Sequence, residues 1–600
     1  VDLRGDGANV FGIGSKVIAY SGNLKRLYEV ASTRGFCSSS DSRIIIGLGQ
    51  SNVLDSLVII WPDATYEVRR NVNSGERLSM IQKNAKGVFD FKMLVPQKKM
   101  AEPLPHHQIP DFVHQEDDYN AFNNEGLIPH MLTTQGPAFA LGDVNSDGLE
   151  DIFLGGAKEQ PGVIYAQTNN GTWQRLRSAD LDRDAEAEDV AAQFFDADGD
   201  GDLDLFVAGG GQNPQIRPEF LLPRLYKNDG KGNFTKHRNA VAGVLLNAST
   251  VQSADYDLDG DIDVFVGASV LPFLYGMSPV SYLLSNDGIG NFSVVQNWLG
   301  NSRFNNPTQV RPGMVKDAVW CDVNKDKLPD LILVGEWMPI TVLLQTSNHL
   351  FENQTDQWGL GATTGWWNTI EAADFDRDGD QDFVVGNLGE NSRLRVSETK
   401  PLTMYLGDFD SNGGSDHVLV YYNGDKSYPF ASRDQLVKQL PSLKKKFLKY
   451  SDYRNVLLED IVTPQQKGNS ATMTVNTLTS VYLKNENGNF LLSHLPDEAQ
   501  LAPVYSFAID DVDNDGNLDL LLGGNQYAVQ PDFGQYDGSL GLILLGDGKG
   551  GWQAIDTQES GFIVRGETRH IGVLKNFKKE KIVLVSRNNQ TLVGFKIQSP

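Results

Sequence analysis

The stretch Asp255-Tyr256-Asp257-Leu258-Asp259-Gly260-Asp261-Ile262-Asp263 decides how the chain is read, because its pattern of acidic side chains around a glycine occurs seven times. The copies place oxygen-bearing side chains at Asp143, Asn145, Asp147 and Asp151; Asp196, Asp198, Asp200 and Asp204; Asp255, Asp257, Asp259 and Asp263; and Asp322, Asn324, Asp326 and Asp330. The remaining three use Asp374, Asp376, Asp378 and Asp382; Asp408, Asp410, Asn412 and Asp416; and Asp511, Asp513, Asp515 and Asp519. A hard divalent cation takes about 6–8 oxygens at about 2.3–2.6 Å, and carboxylates at alternate positions of a tight loop converge on one point. The sixth position must turn sharply, which a residue without Cβ allows; it is Gly in six copies and Lys327 in the fourth. The pattern predicts Ca2+ at five to seven of these loops.

A helix–loop–helix calcium site needs a bidentate Glu at its twelfth position. Here that position holds Leu154, Val207, Val266, Leu333, Val385, Leu419 and Leu522, all apolar. The flanks, such as Val264-Phe265-Val266, read as short strands, so the unit is strand, loop, strand. A second hairpin usually follows, marked by an Asn/Gly turn and an aromatic, as in Asn228–Phe234 and Asn286–Phe292. Four antiparallel strands per roughly 50–65 residues make a propeller blade. The first aspartates are separated by 53, 59, 67, 52, 34 and 103 residues. The interval of 34 is too short for a blade, which puts the loop Asp408–Asp416 in the outer hairpin of the fifth. A calcium-free unit over 570–597 then completes seven blades; if Asp408 opens a blade of its own, there are eight. Residues 425–478 read as a partly helical insertion, whereas Asp180, Asp182 and Asp184 mimic the loop without its glycine.

At 600 residues the chain is too long for one ordinary core. Its net charge of −25 has a local cause, since 25 aspartates sit at the ligand positions. Two cysteines, Cys37 and Cys321, exclude a disulfide framework. No apolar run is long enough to span a membrane, and no basic surface interleaved with aromatics argues for nucleic acid. Extracellular calcium modules bind at about 10⁻⁴–10⁻³ M, which predicts an extracellular or cell-surface location. The abrupt opening at Val1 leads us to expect an upstream segment.

Residues 1–85 carry alternating strand-like runs without a calcium loop and read as a small β-sandwich or barrel. Asn9-Val-Phe-Gly-Ile-Gly-Ser-Lys-Val17, Arg43-Ile-Ile-Ile-Gly-Leu-Gly49 and Asp55-Ser-Leu-Val-Ile-Ile-Trp-Pro62 resemble the ASPIC/UnbV domain. Residues 86–135 read as a polar linker wrapping onto the next domain. From 136 to 600 the nine-residue loops resemble the FG-GAP/VCBS repeats of integrin-like propellers. Together the resemblances imply a bacterial envelope or secreted protein working beside an outer-membrane uptake complex.

In a four-stranded blade the calcium loops and the Asn/Gly turns share one face, which reads as structural. The opposite face carries the longer connections, with Tyr275, Trp337, Trp366, Trp367, Asn387, Arg393, Tyr527, Asp532 and Tyr536 as candidate ligand-binding residues. Aromatics among amides and charges suit recognition of protein or glycan. The expected function is therefore a calcium-stabilised binding or adhesion module. The alternative is a carbohydrate hydrolase or lyase using carboxylates on that face, although no nucleophile elbow, zinc motif or phosphate loop is present.

Overall fold

The structure, a computed structural model, describes residues 1–22, 24–33, 35–94, 99–211, 213, 216–300, 309–486 and 488–598. It divides into two compact units, Val1–Gln97 and Lys98–Pro600.

In the first unit an antiparallel sheet runs in the order Leu24–Glu29, Lys16–Ser21, Val53–Ile60, Tyr66–Asn73. Asp2–Arg4 pairs in parallel with Ser79–Ile81. Val17, Ala19, Leu57 and Ile59 share one face and form the core with Trp61. Among the described residues this is one four-stranded sheet and a two-stranded ribbon, where a sandwich or barrel was expected. The run 43–48 is not a strand, because it packs by its end: the Val1 ammonium donates to Ile44 O at 2.6 Å and Ile44 N to Val1 O at 3.0 Å.

The second unit is a succession of antiparallel sheets. Seven of them open with the strands Phe139–Gly142, Asp189–Phe195, Ala248–Ala254, Met314–Cys321, Thr369–Ala373, Val504–Asp510 and Thr568–Lys575. In the third, Ala248–Ala254 is followed in order by Asp263–Ala268, Tyr282–Asn286 and Phe292–Val294. Beyond its opening Asp263 the second strand is apolar because both its faces are covered. Val264 and Val266 pack toward Phe206 and Leu225 of the second sheet, while Phe265 packs toward Val315 and Leu331 of the fourth. Each such side chain contributes about 1.5–3 kcal/mol.

The opening strands follow one another side by side. Ser253 N donates to Gln193 Oε1 at 2.9 Å, Ser249 Oγ to Val315 O at 2.6 Å, Thr369 Oγ1 to Asp317 Oδ2 at 3.0 Å and Ile571 N to Ser506 Oγ at 3.0 Å. His570 of the seventh sheet stacks on Phe139 of the first, with ring centroids 6.0 Å apart.

Two sheets depart from sequential order. The seventh takes its fourth strand from Ala101–Pro103, inside the stretch expected to be a linker. The fifth is interrupted after Asp382–Gly386 and resumes at Val481–Asn485. Between them stands a separate sheet ordered Lys426–Pro429, Asp416–Asn423, Leu402–Gly407, Ala471–Val475, together with the helices Arg433–Gln439, Tyr450–Tyr453 and Pro464–Asn469. The loop Asp408–Asp416 therefore lies in an inserted sheet, neither in the outer hairpin of the fifth sheet nor at the head of another sequential one.

The rest of 99–135 passes the hairpin turn of the first sheet at Trp173 and then crosses the ends of the sheets away from the acidic loops. Trp173 Nε1 donates to Gln108 O at 3.0 Å, Tyr165 OH to Asp111 O at 2.6 Å, Met131 N to Ala528 O at 2.8 Å and Arg569 to Thr134 O at 3.1 Å. Of the look-alike triplet, Asp180 and Asp182 lie on a short helix, Ala179–Arg183, capped by Ser178 at its start and Asp184 at its end.

Candidate functional site

Each loop folds around its first aspartate. Asp255 accepts from Asp259 N at 3.0 Å and Gly260 N at 3.1 Å, and Asp374 does the same for Asp378 N and Gly379 N at 3.1 Å. The sixth position takes positive φ in every copy, +99° at Gly260 and +72° at Lys327. Lys327 thus adopts the glycine conformation, and its N–H reaches Asp322 Oδ2 at 2.8 Å.

The ninth aspartate does more than its place in the pattern suggested. Asp151, Asp204, Asp330, Asp382, Asp416 and Asp519 are fully buried and Asp263 nearly so. Asp263 Oδ2 accepts from Tyr256 N at 3.3 Å, and its Oδ1 accepts from Asn286 N, on the third strand, at 2.8 Å. Asp151, Asp204, Asp330 and Asp519 repeat this clasp, joining their loop to the third strand of the same sheet. Asp382 accepts instead from Tyr482 OH and Asn485 N, and Asp416 from Gln439 Nε2 and Phe409 N. Burial pushes the carboxyls of Asp151, Asp263 and Asp330 up to about 7 and those of Asp204, Asp382 and Asp519 to about 6, against the opposing pull of these hydrogen bonds.

The donor set fits a hard cation. In five loops three carboxylates bring oxygens within 4.8 Å of one another: Asp196, Asp198 and Asp204; Asp255, Asp257 and Asp259; Asp374, Asp376 and Asp378; Asp408, Asp410 and Asp416; Asp511, Asp513 and Asp519. Asp198 Oδ1, Asp257 Oδ1 and Asp511 Oδ1 are buried without a hydrogen-bond partner, a costly state that a bound cation relieves. In the first and fourth loops the third position is Asn145 or Asn324, whose Oδ1 is engaged by Asp147 N at 3.0 Å or Asp326 N at 2.9 Å. Two loops also meet a lysine from their own third strand: Lys227 Nζ lies 2.9 Å from Asp198 Oδ2, and Lys484 Nζ 2.9 Å from Asp376 Oδ2.

The residues expected to bind ligand are, for the most part, inside the protein. Tyr275 and Trp367 are fully buried, as is Asn387, and Trp366 and Trp337 are 2% and 8% exposed. This corrects the reading of these five as a ligand-facing rim. Tyr275 OH donates to Glu336 Oε2 at 2.6 Å and accepts from Trp337 Nε1 at 3.0 Å, while His130 Nε2 lies 2.9 Å from Glu336 Oε1. Trp367 Nε1 donates to Thr363 O at 2.9 Å, and Asn387 Nδ2 to Thr477 O at 3.3 Å. Ile128 and Leu132 of the crossing segment pack onto Tyr275, Trp337 and Trp366. The connections are aromatic because the chain itself covers them. Arg393 and Asp532 remain exposed, and Tyr527 and Tyr536 half-buried. Arg393 lies 4.0 Å over the Phe430 ring, which stacks on Phe533 at 3.9 Å.

A cavity of about 410 Å3 that no motif announced lies where the opening strands of all seven sheets meet. Met131, Leu132, Thr134 and Gln135 of the crossing segment also line it. Its charged members are Lys316, Asp317, Glu371 and Arg569. Burial brings the Lys316 ammonium down to about 8 and pushes the Glu371 carboxyl up to about 8, with Asp317 adding to the latter. Asp317 is saturated by Thr250, Thr369 and the N–H groups of Ala318 and Ile370, and Arg569 by Glu567, Thr134 O and Asn525 O. The only signal in the sequence is a polar residue inside an apolar strand, which also occurs where strands merely face solvent.

Residues 5–87 match the family described as ASPIC and UnbV, and residues 143–207, 196–266 and 322–385 match the FG-GAP-like repeat. No curated protein matches the chain. Among solved structures it is similar to the biofilm matrix protein Bap1 of V. cholerae, at 10% identity and TM-score 0.34, covering 84% of this chain and 92% of that one. It is also similar to the BP39L lectin of Burkholderia pseudomallei, at 9% identity and TM-score 0.35, covering 76% and 98%. A putative exo-beta-1,3-galactanase of Bifidobacterium bifidum follows at 11% identity and TM-score 0.24, covering 51% and 96%. Likenesses this distant carry no argument about ligand or activity. The family matches coincide with the residues that carried both resemblances: the chain has an ASPIC/UnbV domain at its N-terminal end, followed by FG-GAP-like repeats.

Proposed function

We propose that residues 98–600 form a seven-bladed propeller braced by Ca2+, serving as an extracytoplasmic binding module for protein or glycan. The observation that carries this reading is the convergence of three carboxylates in each of five loops, with unpartnered buried oxygens at Asp198, Asp257 and Asp511. Oxygens so placed repel one another unless a cation neutralises them. The site third in sequence, Asp255 to Asp263, has no lysine competitor and is the strongest, whereas the first and fourth, with Asn145 and Asn324, are the weakest. A site of Kd about 10⁻⁴–10⁻³ M fills at extracellular calcium and empties in cytosol, so location follows from the same chemistry. Partner contact falls to the exposed Arg393 and Asp532 around the half-buried stack of Phe430 and Phe533, with Tyr536 beside it, because the neighbouring aromatics are internal.

Thermal melting in excess Ca2+ and in EGTA tests the bracing, and a glycan array probed with calcium-loaded protein tests the module. A higher melting temperature in Ca2+, together with array or partner binding lost in Arg393→Ala, is the expected result. Coincident melts would overturn the metal assignment.

A further inference from the structure

We propose that the cavity at the meeting of the seven opening strands is a binding site for a neutral sugar, a ligand of roughly one or two rings. This site is distinct from the Arg393 stack above, and the proposal does not depend on the calcium reading. At about 410 Å3 the cavity falls within the range of small-ligand pockets, about 300–1,000 Å3.

The argument rests on groups that the protein leaves unused. Lys316 is only 9% exposed, yet among the described residues its ammonium forms no hydrogen bond or ion pair. Its two acidic neighbours are committed elsewhere, Asp317 to Thr250 and Thr369 and Glu336 to His130 and Tyr275. Glu371, on the next opening strand, also lines the cavity without a hydrogen bond among the described residues. Among the described residues the two groups do not meet within ion-pair distance. Burying a charge costs several kcal/mol unless something compensates it, and such groups persist at sites that need them.

The rest of the wall fixes the ligand class. Gln193 uses its Oε1 on Ser253 N and leaves its amide N–H groups to the cavity, while Gln252 leaves its carbonyl oxygen there. Tyr505 adds a hydroxyl without a partner among the described residues, and the stacked Phe139 and His570 add a flat apolar surface. Burial brings the His570 ring down to about 4, so it carries no charge at neutral pH. Donors and acceptors alternate around an aromatic plate, and Lys316 and Glu371 are left without a partner; with its proton kept up to about 8, Glu371 both donates and accepts. That combination satisfies hydroxyl groups, which donate and accept at once, and a pyranose face that lies on an aromatic ring. A cation would be opposed by the Lys316 ammonium, and an anion by Asp317, which also lines the cavity.

The test is saturation-transfer-difference NMR and calorimetry on the full chain in Ca2+, using a panel of neutral hexoses, pentoses, 6-deoxyhexoses, N-acetylhexosamines and their disaccharides, with Gly-Gly and free glutamate as controls. We expect at least one sugar to bind, and Glu371→Leu and Gln193→Glu each to weaken it by at least about tenfold, equivalent to about 1.4 kcal/mol. Gln193→Glu keeps the acceptor for Ser253 N and preserves the fold; an unchanged melting temperature confirms this. Binding only of Gly-Gly or glutamate would overturn the sugar assignment, as would sugar binding insensitive to both variants or the absence of any binding. Sugar binding that persists in EGTA would leave this site standing even if the calcium sites failed.

Discussion

The two ends of the sheets solve the same problem by opposite means. At the loop end, like charges are brought together seven times by one local motif; at the covered end, a buried acid is met by polar partners that lie far from it in the chain. Glu336 meets His130 across 206 residues and Tyr275 across 61. Burial alone would raise the Glu336 carboxyl, yet His130, Lys316 and Tyr275 bring it below its ordinary value. In the proposed reading the loop end depends on a cation from solution, whereas the covered end finds its partners within the protein.

The largest effect should come from breaking the internal pair. His130→Leu leaves Glu336 buried with Tyr275 as its hydrogen-bond partner and Lys316 acting on it only at longer range, and losing one partner of a buried pair costs about 3–5 kcal/mol. Chemical denaturation should show the same loss in Ca2+ and in EGTA. A loss confined to Ca2+ would mean that the covered end is coupled to the loops and that the contrast is false.

Next comes the ninth aspartate, which belongs to both worlds. Asp263→Ala removes a candidate ligand and strands Tyr256 N and Asn286 N, each orphan costing about 1–3 kcal/mol. Its loss should persist in EGTA. Asp257→Ala, whose Oδ1 has no protein partner, should cost about 0–2 kcal/mol in millimolar Ca2+ and almost nothing in EGTA. Equal behaviour of the two variants would erase the distinction between clasp and ligand.

What was legible follows the same divide. A loop of nine consecutive residues carries its own geometry, so the seven copies, the strands beside them and the separate N-terminal domain could be read directly. The strand Ala101–Pro103 was read as linker because a three-residue edge strand containing proline has no periodicity. Tyr275, Trp337 and Trp366 were read as a binding rim because nothing local reveals that Ile128 and Leu132 lie on top of them. Lys316 and Glu371 acquire meaning only where seven strands converge.

The cavity gives a pH signature that the loops do not share. Glu371 titrates near 8 in the fold against an ordinary 4.5, so between these values the folded chain keeps a proton that the unfolded chain has lost. Stability from this group is complete below 4.5 and falls as pH rises toward about 8. Lys316 works the other way, since above about 8 the unfolded chain holds the proton that the fold has given up. Glu371→Gln should therefore match wild type at pH 4.5 and melt several degrees higher at pH 8.5, with Lys316, Asp317, Arg569 and His570 unchanged around it. No gain at pH 8.5 would show that water or a counter-ion already compensates this carboxylate.

The smallest effect sharpens the comparison among the loops themselves. Lys327 stands at φ +72°, where the other six copies have glycine, and a residue with Cβ pays about 1–2 kcal/mol there. Glycine gives back about 0.4–1 kcal/mol through the freedom of the unfolded chain, so Lys327→Gly should stabilise by about 0.5–1 kcal/mol. The gain should be the same in EGTA, because the Asp322 clasp on the residue 327 N–H is a backbone contact that the substitution retains. A gain seen only in Ca2+ would instead mean that the exposed ammonium was repelling the cation, and that charge as well as backbone shape sets the rank of the fourth loop.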